Sequence, residues 1–206
     1  DAFILEEDGQ IESQIYREYI DLNLSNPPQF VWVQTSAQAR EILNTVVGID
    51  MVMCMYNVGD KEIFSLASEL KHDRPNLPFV LLTHFSKEIY RRLSLLDTSA
   101  IDYMFSWHGN ADLIVAIIKL FEDLKNADND ILEVGVQAIL LVEASVRYYS
   151  TYLPELYKMI IKQGGEFLKE TINEQKRKFR KRSRPKILLA TNYDDAMAMY
   201  AKYKSN

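Results

Sequence analysis

The chain holds one cysteine, three histidines, seven glycines and six prolines in 206 residues. A lone Cys54 excludes a disulfide framework and a cysteine-based zinc site. The histidines, His72, His84 and His108, are scattered, and none has a second ligand at metal-binding spacing, so no metal or other cofactor is expected. So little glycine and proline excludes collagen-like and low-complexity chains. The longest apolar runs, such as residues 79–82 and 138–142, fall far short of a membrane span, and no membrane partner is expected. No strand is followed by a glycine-rich loop, since only Gly48 and Gly59 flank the run at 49–55. No nucleophile–base pair stands out either, so the segment is not expected to be an enzyme. No basic leader with an apolar core opens the chain, which makes the cytoplasm the expected compartment. Asp1 in place of a methionine points to a trimmed start.

What the chain has is a globular composition, 48% hydrophobic and 26% charged. The net charge of −5 hides an asymmetry. Residues 1–127 carry 10 Lys and Arg against 19 Asp and Glu, a net of −9. Residues 128–206 carry 14 against 10, a net of +4. Eight of those 14 cations lie in the strip KRKFRKRSRPK at 176–186. A nucleic-acid-binding module built on that strip is one reading. The strip has a single aromatic, Phe179, and ends a long helical stretch whose dipole cations complement. A solvated helix end therefore stands ahead of nucleic acid as its explanation.

Apolar runs alternate with helical periodicity. Strands are expected at 30–33, 49–55, 77–82 and 100–105, rich in β-branched and aromatic residues. Helices are expected from a cap at Ser36, across Ile63 to Leu70, from Ser86 to about Leu96, and from Asn110 to about Lys125. A polar linker is expected at 126–130. The pattern then restarts with strands at 136–142 and 186–190, a long helical region at 145–182 that Pro154 and Gly164-Gly165 kink or divide, and a final helix at 193–203. Alternation with short connections implies an α/β fold, a doubly wound parallel sheet with helices on both faces. Ligands of such sheets bind beyond the carboxyl ends of the strands.

Those strand ends carry a resemblance. Asp50-Met-Val-Met-Cys-Met55, Leu77-Pro-Phe-Val-Leu-Leu-Thr83 and Ser99-Ala-Ile-Asp-Tyr103 resemble the third, fourth and fifth strands of response-regulator receiver domains. These are flavodoxin-like folds with sheet order 2-1-3-4-5. Ala138-Ile-Leu-Leu-Val-Glu143 resembles a receiver's first strand, which would open a second domain. The resemblance implies a receiver-like domain at 1–127, its first strand lost upstream, and a partial second receiver at 128–206. Phe3-Ile-Leu-Glu-Glu-Asp8 would be the loop after that lost strand, or a truncated strand with its acid cluster.

The family's chemistry uses an acid pair for Mg²⁺, an aspartate that attacks phosphorus, and a Lys with a Thr or Ser that hold the phosphoryl oxygens. The resemblance places Met55 at the acceptor, Ser106 at the lysine, Trp107 at the proline that follows it, and Thr83 and Tyr103 at the switch pair. Met55 offers no nucleophilic oxygen, so the first domain is expected to be a pseudo-receiver. In the second domain Glu143-Ala144 stands where the family has two acids, and Ala144 removes a metal ligand. The tandem arrangement is similar to the regulatory N-terminal region that precedes a phosphoenolpyruvate synthase (pyruvate, water dikinase-like) protein. The implied role is a signal-transduction interaction module of a larger protein, its partners being other proteins or downstream domains of the same chain. The alternative is an active phosphorelay receiver of a two-component system.

Two structural expectations follow. Tyr103, Phe105 and Trp107 form a face for docking or a homodimer if they are exposed. The strands at 138–142 and 186–190 bury too little to stand alone. The first of them is expected to enter the first sheet between residues 30–35 and 50–55, or to swap into a neighbouring chain.

Overall fold

The computed structural model describes residues 10–56, 62–84, 86–169 and 184–204. The acid cluster at 6–8 and the strip from 176 to 183 lie outside the described residues. The described residues are α/β, their strand pairs all parallel, in a three-stranded and a two-stranded sheet. Packing separates the chain into two compact units. One spans residues 28–109 and takes in helix α1 (Gln10–Asp21) up to Glu12; the other holds residues 13–27 and those from Asn110 onward.

The first unit alternates α2 (Ser36–Thr45), β1 (Val52–Met55), α3 (Glu62–Asp73), β2 (Phe79–Thr83), α4 (Lys87–Leu93) and β3 (Tyr103–Ser106). Its sheet has the order β1-β2-β3. The central strand is buried along its whole length, as its unbroken apolar run requires. One sheet face carries Cys54, Leu81 and Met104 in register, and packs with Tyr56, Ile63, Leu66, Ala67 and Leu93. Arg40 of α2 forks onto Glu69 of α3 at 2.7 and 3.1 Å. At the amino edge Asp102 accepts the Phe79 N–H at 2.6 Å and pairs with Lys71 at 2.7 Å, fastening the start of β2 to the approach to β3.

Residues 30–33 form no strand. Phe30 stacks on Trp32 at 5.5 Å, and Val31 and Trp32 are exposed, so the β-prone residues pair with each other rather than with a ladder. The cap of α2 is Thr35, whose Oγ1 accepts the Gln38 N–H at 3.2 Å, one residue before the expected Ser36.

The second unit contains most of α1, then α5 (Ala111–Ala127), a π-helical turn (Asp128–Glu133), β4 (Ala138–Val142), α6 (Val146–Lys169), β5 (Lys186–Ala190) and α7 (Tyr193–Tyr203). The expected linker at 126–130 is helical instead. Ala127 and Ile131 are buried against Leu188, and Tyr203 and Lys202 both hold Asp128, so the chain keeps coiling to seat them. Gly135, at φ 76°, then makes the turn into β4 with a backbone that suits glycine. Helix α6 runs unbroken through Pro154 and Gly164. A division at 127/128 gives way to one that assigns α5 to the second unit, because α5 packs on α6 and β5.

Strand β4 pairs only with β5 among the described residues, Leu140 opposite Leu188. It does not enter a slot between 30–35 and 50–55. The two strands gain their burial from helices instead: Leu124, Ala127, Ile131, Met199 and Tyr203 pack against Leu140 and Leu188.

Candidate functional site

The expected site lies at the carboxyl edge of the β1-β2-β3 sheet, where the last residues of three neighbouring strands are Met55, Thr83 and Ser106. Thr83 and Ser106 stand level, both buried, and the Trp107 N–H donates to the Thr83 carbonyl at 2.9 Å. Met55 stands level with Leu82 and Phe105, so its side chain falls on the sheet face opposite Thr83 and Ser106. The residue that follows it, Tyr56, shares their face: its N–H donates to the Leu82 carbonyl at 2.8 Å, and its buried ring meets Phe64 edge-on at 5.6 Å. Sequence spacing alone gave no sign of Tyr56, because the offset between parallel strands is set by the ladder. None of these four side chains is a carboxylate or an amine.

Thr83 Oγ1 is wholly buried and has no hydrogen-bond partner among the described residues. A stranded hydroxyl costs about 1–3 kcal/mol, so Thr83→Val is expected to stabilise the unit by about 1 kcal/mol, its β-branched shape being kept. Urea denaturation of the two proteins measures it. A clear loss of stability would mean that the hydroxyl has a native partner.

Tyr103 opens β3, three residues from Ser106, with its ring 6.2 Å from Phe105 on the other sheet face from Thr83. Tyr103 and Thr83 therefore do not meet as a pair. Phe105 and Trp107 are 0% and 1% exposed, which corrects their reading as an exposed docking face: they are core residues.

In the second unit Glu143 follows β4 but turns back to accept the Ser145 N–H at 2.8 Å, which organises the entry to α6. Ala144 beside it supplies no ligand. Among the described residues no group of three or more His, Cys, Asp or Glu side chains could hold a metal ion. Among the described residues, Met55, Thr83, Ser106 and Ala144 do not supply the acid ligands of the family's Mg²⁺ site.

The densest polar cluster is one that strand-end reasoning missed. Asp123 of α5 is fully buried and accepts Arg184 through both oxygens at 2.9 and 2.7 Å, the Tyr157 hydroxyl at 2.9 Å and the Ile187 N–H at 3.0 Å. Lys186 bridges Asp130 at 2.7 Å and lies 3.8 Å from Asp123. Burial, with the Asp123 charge beside it, pushes the Tyr157 phenol well above its ordinary range. Burial opposes the Arg184 charge, but Asp123 more than compensates and raises its pKa. Thus the described end of the basic strip, Arg184 and Lys186, is turned inward onto carboxylates. The arrangement ties α5, α6 and the start of β5 together and leaves its oxygens occupied by donors.

No helix among the described residues is long and apolar enough to cross a membrane. Comparison with known proteins finds no matching family, no matching curated protein and no matching solved structure.

Proposed function

We propose that this chain is a regulatory, receiver-like interaction module that does not accept a phosphoryl group. The observation that carries the reading is the carboxyl edge of the parallel sheet. Met55, Thr83 and Ser106 end the three strands there, with neither a nucleophilic carboxylate nor a lysine among them. A strand end of this kind cannot form an acyl phosphate. In this reading the β1-β2-β3 sheet corresponds to the third to fifth strands of a doubly wound, flavodoxin-like receiver, and the β4–β5 pair belongs to a second one. The module works in the cytoplasm by contact with other proteins or with other domains of a larger signalling or phosphoenolpyruvate synthase-like protein. It is not itself an enzyme. An active phosphorelay receiver is disfavoured by Met55, and nucleic acid by the inward use of Arg184 and Lys186.

The test is phosphorylation by acetyl phosphate with Mg²⁺, together with beryllofluoride titration followed by tryptophan fluorescence. Intact mass is expected to stay unchanged and beryllofluoride to leave the spectrum unmoved. An acid-labile adduct on the first unit would overturn the proposal.

A further inference from the structure

Helix α1 lies against α5 and α6 through an apolar stripe and a charged cluster. Ile15, Tyr19 and Leu22, spaced by four and three, are buried. Lys119 of α5, itself buried, sets its amine 5.1 Å from the centre of the Tyr19 ring. Beside the stripe, Glu18 of α1 and Asp112 of α5 converge on one amine, that of Lys158 of α6. Lys158 pairs directly with Asp112 and lies 4.0 Å from Glu18. The two carboxyl groups are also within hydrogen-bond reach of each other. Three helices thus bring two acids and one cation together, each with only 25–26% of its side chain exposed.

Two ionised carboxylates cannot share a hydrogen bond, so the docked arrangement favours one proton between them. The helix ends decide where it sits. Asp112 stands in the first turn of α5, whose positive end favours its charge. Glu18 stands in the last turn of α1, which holds no basic residue and carries a second acid, Asp21. The negative end of α1 disfavours a charge there. Burial, then the Asp112 charge, raise the Glu18 carboxyl above its ordinary range, and Lys158 offsets them only in part. Lys158 itself stays charged: burial opposes it, but Asp112, Glu18 and Glu155 outweigh burial and raise its pKa.

We propose that Glu18 and Asp112 form a proton-dependent latch that holds α1 on α5 and α6. With the proton on Glu18, its hydroxyl donates to Asp112, Lys158 pairs with Asp112, and the cluster is neutral. Loss of that proton leaves a net negative charge among the three helices, and α1 loosens. A docked helix that binds the proton more tightly than a released one is held most firmly below the ordinary glutamate range. Its hold weakens as pH rises through the raised value. Tyr19 eases the release: its hydroxyl is buried with no hydrogen-bond partner among the described residues, and it regains water when α1 lifts. The latch uses residues of the second unit alone and stands whether or not the chain is receiver-like.

Nuclear magnetic resonance on the full 206-residue chain tests it. Titration of the side-chain carboxyl carbons is expected to place Glu18 above ordinary glutamates. Asp112→Asn should bring Glu18 down, since the like charge is gone and Lys158 is left to pair with Glu18. Amide exchange, corrected for its intrinsic pH dependence, should show the protection of α1 falling severalfold relative to α5 between about pH 5 and about pH 7.5. Glu18→Gln keeps a donor to Asp112 without the titration, so α1 should stay protected across that range. A Glu18 carboxyl that titrates at or below its ordinary value overturns the proposal. So does protection of α1 that follows pH identically in the wild type and in Glu18→Gln. If the glutamine variant fails to fold, the wild-type titration decides the matter.

Discussion

Replacing Asp123 with alanine is expected to destabilise the second unit by about 3–5 kcal/mol, the range for removing one partner of a buried charge pair. The carboxylate is 0% exposed and serves several donors at once. Its removal leaves the Arg184 guanidinium, with only 12% of its side chain exposed, without its paired carboxylate. It also strands the Tyr157 hydroxyl and the Ile187 N–H in the interior. A surface pair such as Arg92 with Glu88, at 49% and 70% exposed, contributes about 0–1 kcal/mol by comparison. Urea denaturation followed by circular dichroism measures the loss, and amide exchange at Ile187 locates it. Asp123→Ala and Tyr157→Phe should be strongly non-additive, since they share an oxygen. A loss below about 1 kcal/mol would show that the cluster is solvated in the native protein and does not fasten β5.

That cluster also marks where sequence reading stops. Strand–helix alternation was legible because short β-branched runs, capped helices and brief connections are local signals, and β2, β5 and α7 follow from them. Thr83 and Ser106 could each be singled out one residue past the expected strand ends at 82 and 105, but that they stand level is set by the ladder, and the resemblance pairs Thr83 with Tyr103 instead. The run at 30–33 had the same propensity as a strand, but propensity supplies no partner strand, and Phe30 and Trp32 stack on each other instead. Residues 126–130 are polar enough to pass for a linker. Their helical state depends on Ala127 and Ile131, spaced by four, meeting Leu188 far along the chain. Asp123 gave one faint local hint: it lies three residues after Leu120, on the buried side of α5. Its partner Arg184 is 61 positions away, inside a basic strip that reads as solvent-facing by composition. Pairing across such a distance is a property of the packed unit, and no local pattern encodes it.

Trp107→Ala is expected to cost the first unit about 3–5 kcal/mol, the range for emptying a large aromatic site in a core. Trp107 is 1% exposed, follows directly on β3, and its N–H closes the ladder to the Thr83 carbonyl. Truncation opens a cavity at the carboxyl end of β3, where Phe105 is itself fully buried. The second tryptophan makes the test clean. Trp32 is 50% exposed, so in a Trp32→Phe background the remaining emission comes from Trp107 alone. That emission should be blue-shifted and poorly quenched by acrylamide in the folded protein. The alanine variant should show a lower denaturation midpoint. The opposite pattern, an indole quenched as freely as one in water and a variant of full stability, would mean that Trp107 lies at the surface and is free to act as a docking anchor. The burial of Trp107 argues against that outcome.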